Sequence, residues 1–166
     1  MAIPHRGRTS SATYFVTAST FCKKNVLQSE AMATLFCEIL LRYRAEKRLL
    51  LHEFVVIPNH FHVLLSIPPG ATLERAVQCI KGGFSHEARQ RLGPYEIWQT
   101  SFVDRRVRDA AEFARFREYI HQNPVRARLV EQAQQCRYSS LNPAFTLDDV
   151  PQWLKPASNS AVFMQA

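Results

Sequence analysis

Two histidines interrupt an apolar run, V-V-I-P-N-H-F-H-V-L-L-S-I, over residues 55–67. Extended chain projects residues i and i+2 from one face, so His60 and His62 point together while Phe61 points to the other side. Neutral imidazole nitrogens bind several divalent ions, and two of them make an incomplete set that leaves room for a third side chain, water or a phosphate oxygen. Such an open site suits phosphoryl chemistry; the plainer alternative is a pair that decorates the solvent side of a hairpin. A second constellation, E-Y-I-H-Q-N-P-V over residues 118–125, sets Tyr119 and Asn123 four apart and hence on one helix face. They flank the apolar stripe Phe113, Phe116 and Ile120, from which a phenol and an amide can reach out over the histidines of the sheet. There Asn123 offers an oxygen ligand and Tyr119 an attacking oxygen. His121 points away and reads as a surface residue. Singly, these residues have ordinary roles: a border tyrosine packs its ring and leaves its hydroxyl in water, and Asn before Pro ends a helix.

The elements that must position these groups follow from periodicity and punctuation. Residues 13–20 are β-branched and aromatic and read as a strand. Ser29 offers an N-cap for a helix over residues 30–47, carried by Ala31, Leu35, Ile39 and Tyr43. Residues 49–57 and 60–67 form strands joined at Pro58-Asn59, an antiparallel hairpin. Thr72 caps a second helix running to Leu92, which Gly93-Pro94 ends, and residues 97–103 suit a further strand. Asp109 opens a third helix expected to stop around Asn123-Pro124. The order is strand, helix, strand, strand, helix, strand, helix. It predicts an α+β fold, a ferredoxin-like sandwich with helices packed on a four-stranded antiparallel sheet. Residues 1–141 read as one domain, and residues 142–166 as an irregular C-terminal tail with a short docking segment around Trp153-Leu154.

At 166 residues and 46% hydrophobic content the chain buries one core. Lys and Arg number 21 against 14 Asp and Glu, a net charge of +7 that favours a polyanionic partner. Cys22, Cys37, Cys79 and Cys136 form no C-x-x-C pair, which disfavours a zinc ribbon or a thioredoxin-like site and suits reduced thiols. The first residues lack an apolar segment of signal type, and no apolar run approaches the length of about 18 residues that spanning requires. A cytoplasmic protein without membrane contact is expected.

Further motifs lie in order with the first two: C-I-K-G-G-F-S, I-W-Q-T-S-F, R-D-A-A-E-F-A-R-F-R-E-Y-I-H-Q-N-P-V-R-A and R-Y-S-S. Together with V-I-P-N-H-F-H-V-L-L they give residues 14–140 a resemblance to the single-tyrosine HUH transposases. The chain looks most like the REP-associated tyrosine transposases, relatives linked to repetitive extragenic palindromes. The resemblance implies a divalent ion, Mg²⁺ or Mn²⁺, held by His60, His62 and Asn123, and Tyr119 as the nucleophile that takes a 5′-phosphotyrosine link and frees a 3′-hydroxyl. It implies single-stranded or hairpin DNA as substrate, with relatives acting as monomers or homodimers.

Arg105, Arg106 and Arg108 just before the tyrosine helix, and Arg115 and Arg126 near the proposed site, are candidates for backbone phosphates. Lys81 sits in the family-like I-K-G-G-F-S, where Gly82-Gly83 costs a helix about 1 kcal/mol per glycine and points to a close backbone approach or a break. Arg128 stands where relatives usually carry glycine, a helix C′ position at which a left-handed backbone costs a side chain about 1 kcal/mol. Two rivals remain open at this level. One is a binding module stacking bases on Tyr14, Phe61 and Phe102 of the sheet; the other is a metal-dependent phosphodiesterase in which water attacks and Tyr119 packs.

Overall fold

A computed structural model describes residues 11–155. Strand β1 (Ala12–Ser19), helix α1 (Glu30–Ala45), strands β2 (Leu50–Ile57) and β3 (His60–Ile67), helix α2 (Leu73–Leu92), strand β4 (Val103–Arg106) and helix α3 (Ala110–Arg126) follow one another. The antiparallel sheet has the order β2-β3-β1-β4, the ferredoxin-like arrangement expected. Residues 156–166 of the expected tail lie outside the described residues. Among the described residues no helix is long and apolar enough to cross a membrane.

The sheet is covered on both faces, which explains why its strands read as nearly continuous apolar runs. Tyr14, Val16 and Ala18 of β1 and Phe61, Val63 and Leu65 of β3 face α1 and α2, in a core with Phe36 and Phe84. Phe15, Val55, Ile57 and Leu64 face the other way and pack against Phe113 and Ile120 of α3. Phe116 stacks on Phe15 at 4.6 Å. The side-chain period of two therefore sends His60 and His62 towards α3.

The caps expected from the sequence form. Ser29 accepts from the Met32 amide, Thr72 from Arg75 and Asp109 from Glu112, which fixes where each helix begins. Gly82 and Gly83 do not break α2. A side chain at Gly83 would collide with the Tyr43 hydroxyl and ring of α1, while Gly82 faces open space. The close approach is thus at Gly83.

Two boundaries differ from the sequence reading. The fourth strand covers Val103–Arg106 instead of residues 97–103. Ile97 and Trp98 are buried in the α1/α2 core, where the indole donates to the Lys81 carbonyl at 3.0 Å and Trp98 makes an isolated bridge to Thr20. The apolar signal there marks a core plug, whereas the true edge strand, V-D-R-R, is polar and exposed. Helix α3 also runs past Pro124 to Arg126. Proline costs one amide donor, and the carbonyl of Pro124 still closes the helix by accepting from Leu129 at 2.9 Å while Val125 accepts from Arg128. Arg128 has φ 57°, the left-handed C′ conformation expected of it.

A bulge in β2 skips His52, because Leu51 pairs with Leu65 and Glu53 already with Leu64. One extra residue turns two consecutive side chains to the same face. His52 consequently packs edge-on against Phe113, and Glu53 also reaches α3. Cys22 and Lys23, just after β1, adopt φ of 52° and 54°. Two successive non-glycine residues in the left-handed region store about 1–3 kcal/mol of strain each.

Candidate active site

Register places the site. Thr17 pairs with His62, which pairs with Val55, and Ser19 pairs with His60, which pairs with Ile57. On the α3 face this gives adjacent rows of side chains across the sheet. His62 Nδ1 lies 2.7 Å from Thr17 Oγ1 and its Nε2 3.1 Å from Asn123 Nδ2. With the amide donating to Nε2, the neutral ring keeps its proton on Nδ1 and donates it to Thr17. His60 Nδ1 lies 2.7 Å from Asn59 Oδ1, an acceptor, so it too is protonated on Nδ1. Each ring thus carries its lone pair on Nε2, which on His62 accepts from the Asn123 amide.

Burial keeps the pair neutral. Desolvation, with smaller contributions from His60 and from the Lys23 ammonium, pushes the His62 pKa down to about 3. His60 is lowered by the same desolvation and by Lys23. The two ring centroids stand 4.8 Å apart.

Tyr119 leans its ring on the edges of His62, at 5.2 Å, and of Phe15, at 5.8 Å, and remains 38% exposed. The Arg126 guanidinium lies 5.6 Å over the same ring. The structure therefore brings His60, His62, Tyr119, Asn123 and Arg126 together. Arg105 pairs with Phe15 and so projects from the α3 face, whereas Arg106 pairs with Tyr14 and projects from the opposite one. Arg108 and Arg115 flank Glu112 at 3.2 and 3.6 Å, and Arg108 holds that carboxyl below the usual range. Lys81 comes from α2, across the sheet from α3, and donates to the Gln99 carbonyl at 2.6 Å. Its pKa is lowered by burial.

Two sequence expectations are corrected. Tyr14 and Phe61 are buried in the α1/α2 core and Phe102 is partly buried against it, so they offer no exposed stacking platform. His121 is not a free surface residue: its Nε2 meets Glu53 Oε2 at 2.8 Å, and Ser140 Oγ donates to the same oxygen at 2.5 Å. Sequence reading also missed Thr17, Lys23 and Glu53. Thr17 is identified only by cross-strand register, and Glu53 only by the bulge.

Residues 8–123 match the family model described as "Transposase IS200 like". A REP-associated tyrosine transposase of Escherichia coli K12 is 24% identical over 104 residues, 62% of this chain and 61% of that protein. An uncharacterized protein of Haemophilus influenzae Rd KW20 is 24% identical over 95 residues, 44% of this chain and 53% of that protein. The chain thus matches little more than half the length of these curated relatives. Among solved structures, a REP-associated tyrosine transposase bound to a REP hairpin superposes with a TM-score of 0.71 at 20% identity, covering 94% of this chain and 98% of that one. A structure from Deinococcus radiodurans R1 gives 0.51 at 21% identity, covering 72% and 95%. With the family model spanning both the histidine pair and the tyrosine helix, the chain belongs to the IS200-like transposase family.

Proposed function

We propose that this protein cuts and rejoins single-stranded or hairpin DNA through a covalent bond to Tyr119, as a REP-associated tyrosine transposase acting on cytoplasmic DNA. The observation that carries this reading is the exposed phenol of Tyr119 against the edge of a neutral His62, whose Nε2 meets Asn123. The Tyr119 ring, the two imidazoles and the Asn123 amide lie side by side between α3 and the sheet.

The donor set fits a divalent cation, Mg²⁺ or Mn²⁺. Both imidazoles are held by their Nδ1 protons, as metal-binding histidines commonly are, and both have depressed pKa values. Among the described residues no group of three His, Cys, Asp or Glu could hold a metal. Asn123 would complete the set if its amide, which here turns Nδ2 to His62, were reversed to present Oδ1. A cation held by His60, His62 and Asn123 would supply Lewis-acid stabilisation of charge on the scissile phosphate.

Tyr119 Oη attacks phosphorus, the bond to the 3′-oxygen breaks, and a 5′-phosphotyrosine and a free 3′-hydroxyl result. The stored ester lets a 3′-hydroxyl reverse the step. Phe15 and His62, stacked on each other, both meet the Tyr119 ring in T-shaped contacts and Arg126 lies over it, so that orientation contributes to the rate. Arg105 and the exposed Val103 extend the same face beyond α3, leaving an open floor for a strand. Hairpin DNA is favoured as substrate because the solved protein of the same fold is bound to a REP hairpin.

Incubation with Mn²⁺ and labelled hairpin DNA tests the reading. A denaturant-resistant adduct with wild type and none with Tyr119→Phe is expected. Equal cleavage by both proteins without an adduct would favour attack by water and overturn it.

A further inference from the structure

The strained turn after β1 holds a cation that the chemistry above does not use. Cys22 and Lys23 are both left-handed, and the turn is tied down at each end. Thr20 Oγ1 donates to the Lys24 carbonyl at 2.7 Å and to the Asn59 carbonyl at 3.0 Å, and the Thr20 amide donates to the same Asn59 carbonyl. Asn59 in turn holds His60. The strain therefore sets a turn against the β2–β3 junction, at the edge of the histidine pair. Strained non-glycine backbone persists where surrounding structure over-determines it, commonly beside functional groups.

Lys23 is what this turn presents. Its Nζ donates to Ser19 Oγ at 2.6 Å, and Ser19 is the cross-strand partner of His60. Thus the ammonium stands on the face of the sheet that carries both imidazoles. The neighbouring Lys24 is turned elsewhere, 5.8 Å over the ring of Tyr95. No carboxylate among the described residues pairs with Lys23. A fixed, exposed ammonium beside a site that fits a cation is electrostatically unfavourable unless an anion lies between the two.

We propose that Lys23, fixed by Ser19, is a phosphate-binding group of the site, taking a non-bridging oxygen of the DNA strand at or next to the phosphate that faces Tyr119. The proposal rests on the nuclease reading for its ligand, but its test does not require chemistry. The ammonium and the cation site address the same anion from two sides, so DNA and cation help each other to bind although the two positive centres repel in the free protein.

The test uses Lys23→Met, which keeps the aliphatic stem, and Lys23→Arg, which keeps the charge. Thermal melting first confirms that each variant is folded. Binding of labelled single-stranded DNA carrying a hairpin is then measured in EDTA against salt. Each phosphate contact to a single strand contributes about 0.7 to the slope of log affinity against log salt. Lys23→Met is expected to lower that slope by about this amount and Lys23→Arg to preserve it.

A neutral methylphosphonate is walked along the strand in parallel. At one position it is expected to weaken wild type about tenfold and Lys23→Met hardly at all, the non-additivity of a direct contact. In the absence of DNA, Mn²⁺ is expected to bind Lys23→Met several-fold more tightly than wild type, a change that a purely structural lysine would not cause. An unchanged salt slope with additive methylphosphonate effects overturns the proposal. Lack of any Tyr119 adduct with a lowered slope would sink the nuclease reading and leave the phosphate subsite standing.

Discussion

His62 of β3 and Asn123 of α3 meet at 3.1 Å, Nε2 to Nδ2, across the boundary between sheet and helix. The contact ties the histidine pair of the hairpin to the helix that carries Tyr119, the proposed nucleophile, one turn earlier. Thr17 sets the imidazole from behind, and Glu53 of β2 ties the helix to the sheet through His121.

Thr17→Val keeps the shape of the side chain and removes the acceptor for His62 Nδ1–H. Leaving that buried donor unpaired is expected to cost about 1–3 kcal/mol. Mn²⁺ affinity should fall by about 10-fold or more as the ring loses its orientation. Thermal melting and Mn²⁺ titration check both; unchanged metal affinity would mean that Thr17 does not orient the ring.

Stability of the metal-free protein should decline below neutrality. Burial lowers the pKa of His52, His60 and His62 in the folded state, so the unfolded chain takes up protons that the native one refuses. Above an unfolded value of about 6.5 neither state binds them and no contribution arises. Below it the loss grows by up to about 1.4 kcal/mol per pH unit for each ring, and for His62 it continues towards its folded value of about 3. Urea melts in EDTA between pH 7.5 and 5, above the range where most carboxylates titrate, should show the decline. A flat profile there would contradict the buried neutral pair.

Glu53 accepts from His121 of α3 and from Ser140 of the segment that covers the edge of β2. Glu53→Ala should cost about 1–3 kcal/mol by leaving those partners unsatisfied. Since His121 lies between Tyr119 and Asn123 in the chain, adduct formation should slow several-fold more than DNA binding weakens. Equal losses in both would indicate a general loss of folded protein.

The paired glycines of α2 should separate. Gly82→Ala enters open space and gains helix propensity of about 1 kcal/mol. Gly83→Ala meets the Tyr43 ring, over which Arg48 also lies at 5.3 Å, and should be less stable than Gly82→Ala by about 1–3 kcal/mol. Denaturant melts of the two variants decide it.

The features legible in the chain were those with a local cause. Period and caps located α1, α2 and the start of α3, the spacing of two put His60 and His62 on one face, and a glycine-type position held by Arg128 proved left-handed. Non-local causes were not legible. Trp98 and Ile97 mimic a strand because a core plug and a buried strand share the same apolar signal. A one-residue bulge turns Glu53 to α3, so its contact with His121 could not be seen from alternation. Thr17 and Lys23 depend on which strand neighbours β1 and on the turn that follows it, which register alone reveals.

Mass spectrometric mapping of the protein after reaction with hairpin DNA and Mn²⁺ tests the central claim most directly. Nuclease digestion of the DNA should leave a nucleotide phosphate on the peptide carrying Tyr119, absent in Tyr119→Phe and in a His60→Ala, His62→Ala double variant. Cleaved DNA with an unmodified Tyr119 peptide, or the adduct on a different residue, would contradict the claim.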